Sequence, residues 1–219
     1  MTRTLPTLAT CALALGLVAC TPDGADEPLT VPRGDADTAV LQLTGGAGSI
    51  LVSAGADTDH LLEAEAVGAA PPEHTESDGT HVLTLDGDTT TVRLSDDVRW
   101  ELDVRAGADD VDVDLPGTHL SRLVLSGGAG SISLTLGEPD TVVLVEETAG
   151  ADRLAVRRPA TVDVRVNVTS GVGQATVDGV LTEGVGAGTD LTTDGFDESS
   201  PFYDVTVAGG LGRLDIDTT

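Results

Sequence analysis

From residue 39 onward the chain repeats one unit: apolar-x-apolar, a short glycine-rich link, then apolar-x-apolar again. The clearest copy runs from Leu41 to Val52 as LQLTGGAGSILV, and Leu123 to Leu134 nearly duplicates it as LVLSGGAGSISL. Leu102 to Val113, Val166 to Val177 and Val205 to Ile216 carry the same pattern. A repeat of this kind constrains the fold more than any composition does. One unit cannot bury its apolar face alone, so copies must stack and share a continuous core.

The second glycine of the link recurs as Gly46, Gly107, Gly128, Gly150, Gly171 and Gly210. Successive separations are 61, 21, 22, 21 and 39 residues, close to whole multiples of a period near 21. Degenerate copies fit the long gaps: Val82 to Leu94 keeps alternating apolar residues about Asp86-Gly87-Asp88, and Val185 to Leu191 keeps only glycines. In the copy around Gly150 the first strand, Val143 to Val145, is out of step by a residue or two, which predicts a bulge. Apolar residues two apart share one face of a strand. The link is a turn in which these six glycines are expected to supply positive φ. The expectation is an all-β, single-domain β-solenoid of about nine rungs over residues 39–219, with a β-sandwich as the alternative. At about 4.8 Å per rung the stack is about 40 Å long. The position after the link reads Ser49, Asp110, Ser131, Arg153, Gln174 and Arg213, a mixture expected to keep like charges from stacking.

The segment before the repeat has a different character. Arg3 precedes an apolar run from Leu8 to Val18, which ends in Leu17-Val18-Ala19-Cys20. A charged start, a short apolar run and a small residue at the cut make a secretory signal. A cysteine immediately after the cut is the lipoprotein form, with Leu17, Val18 and Ala19 as the lipobox and Cys20 as the lipidated residue. Residues 1–19 are then a signal peptide. Residues 20–38, with Pro22, Gly24, Pro28, Pro32 and Gly34, read as a flexible acidic tether. The domain is expected at the extracytoplasmic face of the cell membrane, held by the lipid. Cys11 leaves with the signal and Cys20 is modified, so neither a disulfide nor a thiolate metal site is expected.

Charge narrows the partners. Thirty-seven acidic residues face eleven basic ones, the net charge is −26, and every basic residue is an arginine. Nucleic acid is excluded as a partner, because phosphate binding needs clustered cations. An anionic membrane surface would repel the domain itself, which leaves the lipid as the membrane contact.

The chain carries no reactive motif that its spacing supports. GGAGS lacks the lysine of a phosphate-binding loop, and no helical pattern follows it. Calcium-binding nonapeptides require an aspartate where Ile50 and Ile132 stand. Asp109, Asp110, Asp112 and Asp114 read as a solvated strand face. His60, His74, His81 and His119 lack ligand spacing, and no G-x-S-x-G elbow is present. No catalytic residue, metal or cofactor is expected. Trp100 enters a strand and reads as core. Phe196, Phe202 and Tyr203 lie in a polar excursion before the last copy, where they cap the solenoid end or form a partner-binding loop.

In Leu61-Leu62-Glu63-Ala64-Glu65, in WELDVRAGADDVDVDL (Trp100 to Leu115), in the Leu120-Ser121-Arg122-Leu123 step before SGGAG, and in the closing Val205 to Ile216, residues 39–219 resemble the bacterial toastrack domains. Those domains occur in Lia-type cell-envelope stress proteins and related adhesins. The resemblance implies a β-solenoid outside the membrane, used in envelope stress signalling or surface interaction, with no catalytic residues to carry over. The expected function is a non-enzymatic envelope lipoprotein that presents a β-solenoid to a protein partner in stress sensing or adhesion. Self-assembly through exposed edges is a subsidiary expectation. The alternative is a β-helix protein that binds or cleaves wall polysaccharide.

Overall fold

A computed structural model describes residues 27–219. The expected signal, the lipobox Leu17, Val18 and Ala19, and Cys20 lie outside the described residues.

The repeat unit folds as one strand in each of two facing sheets, joined by the glycine link. β2 (Thr38–Ala54) shows this most simply, because it runs unbroken through its link. Its first half pairs in sheet I and its second half in sheet II. On one side of β2 lies the rung β5 (Thr80–Leu85) with β6 (Thr89–Leu94). On the other side lies β7 (Arg99–Val104) with β8 (Gly107–Leu115). Next come β9 (Leu120–Leu125) with β10 (Ala129–Leu136), and β11 (Val143–Glu147) with β12 (Ala151–Arg158). The stack continues not with the next segment but with β17 (Phe202–Val207) and β18 (Leu211–Thr218). Only then follow β13 (Asp163–Val168) and β14 (Gly171–Val177). All these pairings are parallel.

Each end of the stack is an antiparallel rung. At the proximal end β3 (His60–Val67) pairs with β6, and β4 (Glu73–Ser77) with β5. At the distal end β15 (Val180–Gly186) pairs with β14, and β16 (Thr189–Thr192) with β13. Seven parallel rungs and two reversed ones account for the nine expected from the period. Of the two degenerate copies, Val185 to Leu191 falls in the distal reversed rung, whereas Val82 to Leu94 folds as the parallel rung of β5 and β6.

The core is a set of aliphatic columns running along the stack. One of them reads Thr90, Ile50, Val111, Ile132, Leu154, Leu214 and Ala175, each paired with the next and each buried. Each large aliphatic side chain removed from water contributes about 1.5–3 kcal/mol before entropy is counted. Trp100 is fully buried, and its indole N–H donates to the carbonyl of Ser95 at 2.9 Å.

Several expectations need correction. Leu29–Pro32, expected within the flexible tether 20–38, forms β1 and pairs antiparallel with β3. Its alternation places Val31 in the core, so the folded domain begins before residue 39. The bulge expected near Val143 is absent, since β11 pairs with both neighbours without a register shift. The repeat looked displaced there because Glu147 occupies a core column beside Leu125 and Val207. Glu147 is 1% exposed, and its carboxylate turns back to accept the Gly150 amide.

The glycine assignment also changes. Of the six link glycines, only Gly150 and Gly210 have positive φ, 93° and 89°, whereas Gly46, Gly107, Gly128 and Gly171 do not. The steric demand often falls one residue earlier. A Cβ on Gly127 would lie 2.0 Å from the carbonyl oxygen of Ala106 on the rung beneath, whereas one on Gly128 would meet nothing within 4 Å.

The charge-separating column fails for a topological reason. Because β18 stacks directly on β12, Arg153 and Arg213 are immediate neighbours. Asp215 sits between them, 2.9 Å from Arg153 and 3.0 Å from Arg213, and offsets their repulsion.

Candidate functional site

The two ends of the stack are built differently, and the difference begins with their hairpins. Both reversed rungs are entered or left through an Asp-Gly turn. Asp78 and Gly79 join β4 to β5 with φ of 52° and 77°, and Asp178 and Gly179 join β14 to β15 with φ of 46° and 78°. Positive φ at both central residues is the type I′ turn, whose twist matches that of the flanking strands. Asp-Gly between alternating residues was the sequence signal that marked both reversals.

The proximal end is closed. His74 and His81 stack with ring centroids 5.4 Å apart, and His74 Nε2 lies 3.2 Å from His81 Nδ1. His81 takes the core column position beside Leu41 and is buried. Burial lowers its pKa and His74 adds to this, against an opposing pull from Glu76. The outer strands there are β4, with exposed Glu73 and Glu76, and β1, which ends in Pro32. Charge and proline on edge strands discourage pairing with other chains.

The distal end is open. Val177, Val180 and Thr182 from sheet II, Leu191 from sheet I, and Thr193 and Phe196 from the loop after β16 line a mouth of about 900 Å³ where the core runs out. Val180 is 68% exposed and Leu181 52%. Among the described residues, β15 and β16 pair only on their inner sides. In a two-residue hairpin the flanking pair, here Val177 and Val180, is hydrogen-bonded, and the bonding then alternates. The amides of Leu181 and Glu183 therefore point away from β14.

The mouth is held in shape from behind. Arg158 is buried at the end of β12 and donates to both carboxylate oxygens of Asp178 at 2.7 and 2.6 Å. On the opposite side Asp163 anchors the loop after β16. It accepts from the Thr193 hydroxyl at 3.0 Å and from the Asp197 amide at 3.0 Å. Asp197 accepts the amide and hydroxyl of Ser199, which lowers its pKa.

Of the three aromatic residues expected to cap the solenoid end or to form a partner-binding loop, the structure leaves only Phe196 at the mouth. Phe202 and Tyr203 are buried in β17. Phe196 packs edge-on against Phe202 at 5.0 Å, and the guanidinium of Arg165 lies 5.1 Å from the Phe202 ring centre. The Tyr203 hydroxyl donates to the Gly137 carbonyl at 2.9 Å, and burial raises its pKa. These two aromatics brace Phe196 and the rungs behind it; they do not present a binding loop.

The remaining polar candidates stay dispersed. Asp112 and Asp114 face outward from sheet II, where partial burial and the neighbouring Asp114 raise the pKa of Asp112. His60 bonds Glu63 at 2.9 Å and His119 bonds Asp140 at 2.8 Å. Among the described residues no three His, Cys, Asp or Glu side chains converge as metal ligands. The six link glycines are spread along the edge between the sheets and gather at no single place.

Stacked strand–link–strand units around one aliphatic core define a two-sheet β-solenoid. The chain belongs to the toast-rack family: residues 22–156 match the family model described as the N-terminal domain of toast_rack, DUF2154. The distal rungs from β13 onward lie beyond that match. A solved structure of a candidate cell adhesion protein from Clostridium sporogenes superposes with a TM-score of 0.64 at 18% identity, over 88% of this chain and 98% of that one. It shares the fold. A candidate adhesin from Bacteroides fragilis aligns over 87% of this chain and 95% of its own, at 11% identity and a TM-score of 0.29, too low to describe a common fold. No curated protein sequence matches the chain.

Proposed function

We propose that this protein is a non-enzymatic envelope lipoprotein, held by a lipid on Cys20 at the extracytoplasmic face, whose solenoid contacts a protein partner in adhesion or envelope stress sensing. The observation that carries the reading is the asymmetry of the ends. Solenoids need polar caps to remain soluble. Here the proximal end has one and the distal end presents Val180, Leu181 and an apolar mouth instead. β1 pairs at the closed end, so an anchor at Cys20 would leave the open end to face outward. The Clostridium sporogenes protein of the same fold is itself described as a candidate cell adhesion protein, which agrees with this use of the fold.

Two measurements test the proposal. Cys20→Ala should shift the protein from membrane to soluble fractions, and unchanged retention would refute the lipid as anchor. Photo-crosslinkers placed one at a time on the solenoid surface of intact cells should capture a polypeptide. Capture of polysaccharide alone, or of nothing from any position, would refute a protein partner.

A further inference from the structure

We propose that the distal end is completed by strand addition: an extended, basic segment of a partner protein pairs with the free edge of β15 and supplies the next rung. This rests on the protein-interaction reading above and names the surface, the mode and the chemistry of the partner.

Three observations converge. The first is the backbone. The outward amides of Leu181 and Glu183, with their carbonyls, form an unpaired edge, and an added strand satisfies such groups. The edge lacks the features that protect β1 and β4, since it has no proline and Glu183 is its only charge. The second is the mouth. Side chains alternate along a strand, so every second residue of the added strand would enter the cavity bounded by Val180, Thr182, Leu191 and Phe196. Small aliphatic residues at those positions would extend the columns that run from Val177 to Val180 and from Ala175 to Thr182.

The third is charge. Asp194 lines the mouth, while Glu183 and Asp190 stand on its two edge strands; Asp178 lines it too, but with its charge offset by Arg158. No arginine lines it, and Arg158 behind it is committed to Asp178. An acidic rim selects a basic segment. It also disfavours a second copy of this chain, which carries a net charge of −26 and no lysine.

The test uses the intact protein and three short blocked peptides. One alternates valine with arginine, one alternates valine with glutamate, and one has the first composition with prolines interspersed so that it cannot form a strand. The valine–arginine peptide should bind saturably and the other two should not. Leu181→Pro removes an outward donor where an edge strand tolerates proline. Val180→Arg fills the mouth with the wrong charge. Each should weaken binding by about tenfold or more, with an unchanged far-ultraviolet circular dichroism spectrum confirming that each variant is folded. Equal binding of the proline-containing peptide would reduce the effect to bulk electrostatics and overturn the proposal. So would binding that survives both variants, or no binding at all. A dimer seen by sedimentation and lost in Leu181→Pro would assign the edge to a second copy and overturn it too. Capture of a polypeptide from Leu144, on the outer face of sheet I, with none from Leu181 would overturn strand addition while leaving a protein partner in place. Capture of no polypeptide from any position would remove both.

Discussion

Arg158 grips both carboxylate oxygens of Asp178 across the distal hairpin, at 2.7 and 2.6 Å, with an arginine side chain that is only 3% exposed. This pair fixes the turn from which the free edge of β15 departs. Asp178→Asn should separate its electrostatic role from its conformational one, because asparagine also tolerates positive φ. Leaving Arg158 buried without its counter-charge should cost about 2–4 kcal/mol, toward the lower end because Asp178 retains some contact with water. Urea denaturation measures this directly, and an unchanged midpoint would mean that the pair contributes nothing.

The glycine links give a sharper contrast. Gly127→Ala drives a methyl group into the Ala106 carbonyl and should destabilise the protein by about 2 kcal/mol or more. Gly128→Ala, one residue away, meets open space at an ordinary φ and should stay within about 0.5 kcal/mol of the parent. Paired thermal melts decide the matter; equal losses at both positions would refute the close-approach account.

Acid should destabilise the proximal end in two separate windows. Burial lowers the pKa of His81 below its ordinary 6.5, so the unfolded chain takes up this proton first. The stability held by neutral His81 is therefore full above pH 6.5 and declines as pH falls through that value. Glu63 behaves as a carboxylate with a depressed pKa. The hydrogen bond from His60, then the Asp57 amide and Arg93, hold it at about 2 against an ordinary 4.5. Its contribution is present above pH 4.5 and is lost as pH falls toward 2. His81→Gln should flatten the first decline and Glu63→Gln the second, in urea midpoints measured across the range. Persistence of the upper step in His81→Gln would place that titration elsewhere.

The sequence carried the rungs well and their order poorly. Spacing of two in Ile50 and Val52, or Ile132 and Leu134, identifies inward faces because only strand geometry puts such residues side by side. Period alone does not say which rung touches which. Nothing local to Phe202–Val207 tells that strand to insert between β11 and β13. The reversals went unread although the sequence marks them, since Asp78-Gly79 and Asp178-Gly179 are type I′ signals that the search for a repeat passes over. Glu147 misled the register because a buried carboxylate that caps its own link breaks the apolar pattern without breaking the strand. The aromatic cluster was misread for a related reason. Phe202 and Tyr203 sit beside a polar loop in sequence, but Tyr203 turns into the core and Phe202 is buried on the other face under Phe196 and Arg165, so only Phe196 reaches the mouth. That mouth could not be read from any motif, because it is made by what the last rung lacks.

The most direct measurement is amide hydrogen exchange at β15 in the isolated protein. An open distal edge requires fast exchange at Leu181 and Glu183, slow exchange at the inward-bonded Thr182, and protection of Leu181 once a strand-forming peptide is bound. Leu181 protected as strongly as Thr182 in the isolated protein would show that the end is already closed, and would contradict the account.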